Sequence, residues 1–184
     1  MGYETYQTIL SEAMEELGVE TGLTTRNVRD AYVEDCTIET DQPALIPDEY
    51  IDVMAEKIRI YKDLDSLKDD REIDRFRSQI SDRFGTLPEE LENLFWVVKI
   101  RNLGARLGFE KIIIKNGMEI LFFISNSMSP YYQSKTFDRV LQNIAAGGPS
   151  FNFKQTDGKL KIVLRQVDSL EKAWLNLNKL GENV

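Results

Sequence analysis

Few side chains in this 184-residue chain can do chemistry, and their spacing narrows them further. There is no histidine, so no imidazole is available as a general base or metal ligand. The single cysteine, Cys36, leaves neither an internal disulfide nor a cysteine cluster. Asp35 beside it opposes the thiolate a nucleophile needs, so Cys36 reads as a small buried hydrophobe. Neighbouring carboxylates are plentiful, as at Glu15-Glu16, Asp69-Asp70 and Glu89-Glu90. Adjacent residues on a helix point apart, and acid–base work needs a carboxylate shifted by burial or a partner. Gly147-Gly148-Pro149 lacks the lysine and the helix start of a phosphate loop and reads as a helix end. Tyr131-Tyr132, with Lys135 close by, has the composition of a nucleic-acid contact, but in an acidic chain it reads as packing. No catalytic, metal-ligating or cofactor-binding residue is assigned.

What remains is a face rather than a catalytic centre. Ile73, Phe76, Ile80 and Phe84 recur at helical spacing, so a helix buries that stripe. Asp82 falls opposite the stripe, with Arg75, Gln79 and Arg83 on an adjoining flank. Arg83 in a last turn suits the helix dipole, whereas Asp82 opposes it by roughly 0.3–1 kcal/mol, so local helix stability does not account for Asp82. The residues read either as ordinary solvated surface or as a docking face, and spacing alone does not choose between them.

This helix has marked ends. Asp69 with Glu72 forms a plausible capping pair at its start, and Gly85 is expected to close it in the left-handed conformation. Thr86 and Glu89 then have the spacing of a capping box for the next helix, with Pro88 in its first turn. That helix, Pro88 to Leu107, is apolar on most sides and is expected to be central. Upstream, Asp48 to Leu67 reads as a helix burying Ile51, Met54, Ile58, Tyr61 and Leu64, with Asp48 and Glu49 in the first turn complementing the dipole.

After Lys111 the period becomes that of strands. Asn116-Gly117 and Asp157-Gly158 each sit between apolar runs and predict two tight hairpins. Thr136–Ala146 and Ser169–Leu180 read as helices packed on them. Near the start, Tyr3–Leu17 is an amphipathic helix, Glu20–Asp30 a loop, and Ala31–Thr40 a short strand. The fold class is therefore α+β: a helical half, then a small antiparallel sheet of two hairpins covered on one face by helices. Residues 1–47 form an N-terminal arm and 48–184 the main domain.

Composition bounds function. Lys plus Arg is 23 against 31 Asp plus Glu, a net charge of -8, which disfavours a phosphate backbone unless the basic groups gather on one side. No apolar run approaches the roughly 20 residues of a membrane span, and Met1–Leu10 lacks an export signal, so a cytoplasmic chain is expected.

The ordered set LIPDEYI, RIYKDL, DRFG, LP and LGF, between about Pro43 and Ile112, resembles the C-terminal domain of the bacterial transcription-repair coupling factor. The likeness continues weakly to the C-terminus. Gly2–Leu17 is similar to the short helix that closes the second motor domain of that family, and Met1 then reads as an added start. The resemblance implies a parent that is an ATP-dependent DNA translocase, which removes stalled RNA polymerase and recruits the repair protein UvrA. ATP and magnesium would belong to the motor, and RNA polymerase and DNA would be met through other domains. The part resembled is not itself an enzyme. It would dock within the same protein on a UvrB-like module, mask the UvrA-binding surface and restrain the motor. The family motif Glu-Leu-x-Asp-Arg-Phe-Gly stands here as Gln79-Ile80-Ser81-Asp82-Arg83-Phe84-Gly85. Asp82 and Arg83 carry over, and Gln79 replaces a charge with a neutral amide. A free-standing adaptor, or a carboxylate-based hydrolase, is the competing reading.

Overall fold

The computed structural model describes residues 32–147 and 150–182; the helix expected over Tyr3–Leu17 and the loop over Glu20–Asp30 lie outside the described residues. The chain divides into two units. Gln42–Lys99 lies in one, and the described parts of Val28–Asp41 and Ile100–Val184 lie in the other.

The first unit is helical. It holds α1 (Met54–Ser66), α2 (Asp70–Phe84) and the first turns of α3 (Glu89–Leu107). The stripes at helical spacing are its core: Ile58, Tyr61, Leu64, Ile73, Ile80, Leu91, Leu94 and Phe95 are all buried. Helix α1 starts later than its sequence suggests. The carbonyl of Pro47 accepts from the amides of Tyr50 and Ile51, both at 3.1 Å, which closes a separate turn, and Val53 is extended. Asp48 is thus outside the first helical turn and pairs instead with the ammonium of the buried Lys57. Glu56 is the acid that meets the dipole. Met54, expected inside, is exposed, while Ile51 and Ile60 are buried.

Asp69 caps α2 as its sequence predicts, its carboxylate accepting from the Arg71 amide at 2.7 Å. At the far end two expectations are corrected. Gly85 has the anticipated positive φ of 93°, but its ψ of -165° is extended rather than left-handed helical, a region essentially reserved for glycine. Its N–H donates to Ser81 O at 2.9 Å, and its carbonyl accepts the Tyr50 hydroxyl at 2.8 Å. The capping box is not formed either. Because α3 begins at Glu89, Thr86 lies too far upstream to cap it, and the Pro88 carbonyl accepts from Leu91 and Glu92 at 3.1 and 3.0 Å.

The second unit is a five-stranded sheet in the order β1-β2-β3-β5-β4. The strands are β1 (Thr37–Thr40), β2 (Phe109–Lys115), β3 (Met118–Phe123), β4 (Asn152–Thr156) and β5 (Lys159–Arg165). Both hairpins form where predicted, with Asn116, Gly117, Asp157 and Gly158 all at positive φ. β5 pairs with β3, which joins the hairpins. β1 runs parallel to β2, so the sheet is not wholly antiparallel, and β1, placed by sequence in the arm, is its edge.

One face of the sheet is buried by the last turns of α3, α4 (Lys135–Ala146) and α5 (Leu170–Leu180). Ile112, Ile114, Leu121, Phe123, Ile162 and Leu164 point into that core. Helices α4 and α5 are capped by Ser134 and Ser169, whose hydroxyls accept from Phe137 and Lys172. Tyr131 settles the aromatic pair as packing: it is wholly buried and its hydroxyl donates to Leu107 O at 2.5 Å. The hydroxyl of Tyr132 likewise donates to Ile124 O.

Candidate docking face

Helix α2 carries charge on two flanks, and the structure treats them differently. On one, Asp74 accepts from the largely buried Lys99 at 2.6 Å, and Arg77 grips Glu92 of α3 through two nitrogens, with Nε to Oε2 at 2.6 Å. The Glu92 carboxylate beside it raises the Arg77 guanidinium above its ordinary range. These pairs are spent on holding α2 against α3.

The other flank holds Arg75, Gln79, Asp82 and Arg83, at i, i+4, i+7 and i+8, so they line one side of the helix. All four are exposed. The side chains of Arg75, Gln79 and Asp82 make no hydrogen bond or ion pair among the described residues. Arg83 leans on α1, with Nη1 2.5 Å from Glu56 Oε1, and its guanidinium lies 4.8 Å from the Phe84 ring centroid. Its side chain remains 58% exposed, so a second partner can still reach it. The structure therefore brings all four predicted residues together. Beneath them, Ile73 and Ile80 are buried and Tyr50 packs on Phe84 at 6.1 Å between ring centroids.

Cys36 is fully buried, and burial, aided by Asp35, pushes its thiol well above the ordinary range, so no thiolate is available. Among the described residues no group of three acids or cysteines is placed to hold a metal. Among them, too, no helix is long and apolar enough to cross a membrane.

One group escaped the sequence reading. Glu119, in phase with Leu121 and Phe123 on β3, points into the core, and burial pushes its carboxyl up to about 8. Asn176 donates to Oε2 at 3.1 Å, while Oε1 has no hydrogen-bond partner. The signal was available in the alternation of MEILFF, where Glu119 occupies an inward position. A raised carboxyl is what a hydrolase would display, but Glu119 is completely shielded from solvent, with Ile114 and Leu164 as its cross-strand neighbours, and no substrate reaches it.

Comparison with known proteins places the chain in a family. The model of the TRCF domain matches residues 40–134, which include all of α2. The chain belongs to the TRCF domain family. Among curated relatives, the transcription-repair-coupling factor of Rickettsia bellii is 30% identical over 132 residues, covering 71% of this chain and 11% of the relative. That of Escherichia coli is 26% identical over 156 residues, covering 82% and 13%. The chain thus spans little more than a tenth of the length of these relatives. A crystal structure of the C-terminal domain of transcription-repair coupling factor shares the fold, with a TM-score of 0.66 at 16% identity, covering 80% of this chain and 94% of that one. The α+β architecture is that of this domain.

Proposed function

We propose that this TRCF domain is a releasable latch: it docks through the free flank of α2 on a UvrB-like module of a parent coupling factor, masks the surface that binds UvrA and restrains the motor. The observation that carries the reading is the inequality of the two flanks. A helix that spends Asp74 and Arg77 inside its own unit leaves Arg75, Gln79 and Asp82 unspent at helical spacing. The carry-over of Asp82 and Arg83 from the family motif points to the same side chains.

A latch must open. Half-exposed charged pairs, each of about 0.2–1 kcal/mol and more where desolvated, suit a contact that forms and breaks, whereas a large apolar face would not let go. The Arg83–Glu56 pair fits this use, since it orients the guanidinium along the face at little cost. Gln79 supplies a neutral hydrogen bond where the family motif has a carboxylate. The parent would be the ATP-driven translocase, and this domain its regulator.

In the full-length parent, Asp82→Ala and Arg83→Ala are expected to raise ATPase activity measured without polymerase and to increase capture of UvrA in a pull-down. Basal ATPase and UvrA capture that both stay at the wild-type level would refute the latch.

A further inference from the structure

The sheet has a second face, and its side chains are arranged in rows. Cross-strand partners share a face, so the pairings place Lys111, Phe122, Lys161 and Lys154 in one row and Lys115, Met118 and Arg165 in another. Between them runs a row of Ile113, Ile120 and Val163. Rows two residues apart on a strand are separated by about 6.7 Å, so cations border an apolar track on both sides. Six of the 23 cations in a chain of net charge -8 lie on this face, Lys159 being the sixth, and among the strand residues with a registered partner Glu39 is the carboxylate beside them. Glu39 is already shared between Lys111 and Lys115, at 2.6 and 3.2 Å. Lys154, Lys159 and Arg165 are exposed and make no ion pair among the described residues, and Lys161 sits 5.8 Å from the Phe122 ring centroid. Ile113, Ile120 and Phe122 are half-buried and Val163 is buried, while Ile112, Ile114, Leu121, Phe123, Ile162 and Leu164 on the opposite face are buried more deeply.

We propose that this face binds a single strand of nucleic acid, with phosphates on the two cationic rows and bases on Phe122 and the isoleucines. Charge complementarity selects a polyanion, and the apolar track selects one that offers flat apolar groups. A duplex hides its bases and would set sugar and phosphate against Ile113, Ile120 and Val163, and an acidic peptide would leave Phe122 without a stacking partner. The net negative charge does not forbid this, because the cations are gathered on one side. The proposal is independent of the latch, which uses a helix of the other unit.

The test is fluorescence anisotropy of labelled oligothymidylate titrated with the complete chain, repeated with the same sequence as a duplex and with polyglutamate. Binding of the single strand is expected to be the tightest, with a log–log salt slope of about -3 for four phosphate contacts. Lys154→Glu/Lys159→Glu/Arg165→Glu, all at exposed positions, is expected to weaken it at least tenfold and flatten the slope. Phe122→Ala is expected to weaken it roughly tenfold with the slope unchanged. Tighter binding of duplex or of polyglutamate, absence of binding, or full affinity in the triple variant overturns the proposal.

Discussion

Asp82 and Asp74 sit on the same helix, carry the same charge and are predicted to fail differently. Asp74 is tied to Lys99, whose side chain is 9% exposed, so Asp74→Ala removes one acceptor from a mostly buried ammonium and is expected to cost about 1–3 kcal/mol in urea unfolding. Asp82→Ala removes no side-chain hydrogen bond or ion pair among the described residues and is expected to stay within about 0.5 kcal/mol of wild type, even as it disturbs docking. A large loss of stability in Asp82→Ala would show that the residue is structural. Glu119 gives a second prediction at this scale. Its folded carboxyl titrates near 8 rather than at its ordinary 4.5, so the fold holds a proton that the unfolded chain releases. That contribution is complete below about 4.5, declines as pH rises, and is gone above about 8. Glu119→Gln keeps the shape and cannot ionise. Thermal unfolding from pH 5 to 8 should therefore fall less steeply in the variant than in wild type, and equal slopes would show that Glu119 does not titrate in this window.

Elements were legible in proportion to how local their causes are. Asn116-Gly117 and Asp157-Gly158 fix their hairpins within two residues, and Asp69 caps its helix by accepting from an amide two residues on, so these features are correct from sequence alone. The start of α1 was not legible, because it depends on Lys57 drawing Asp48 away and on Pro47 closing its own turn. The parallel partner of β1 lies some seventy residues along the chain, and no local pattern announces a pairing at that range. The four residues of the docking flank were readable because helical periodicity is itself local. Which of them would find a partner was not, since the pairing of Arg83 with Glu56 depends on where α1 comes near. The glycine after α3 offers a direct check on element geometry. At Gly108 φ is +87°, and an added Cβ would lie 2.1 Å from the Tyr131 ring, whose hydroxyl holds the Leu107 carbonyl. Gly108→Ala combines backbone strain with a clash and is expected to destabilise the sheet unit by about 3 kcal/mol or more. At Gly85 φ is +93° with open space around it, so Gly85→Ala pays strain alone, about 1–3 kcal/mol. Similar losses at both sites in thermal unfolding would contradict the role given to Tyr131.

At the scale of the whole molecule, the chain belongs to the TRCF domain family, has its α+β fold, and keeps one charged flank of α2 exposed. The central claim is that this flank recognises a UvrB-like module, and the most direct measurement is calorimetric titration of that isolated module into the 184-residue chain. The account predicts saturable binding that weakens with salt, falls at least fivefold in Asp82→Ala and in Arg83→Ala, and tightens in Gln79→Glu, which restores the charge of the family motif. Binding of equal strength in wild type, Asp82→Ala and Arg83→Ala would contradict it.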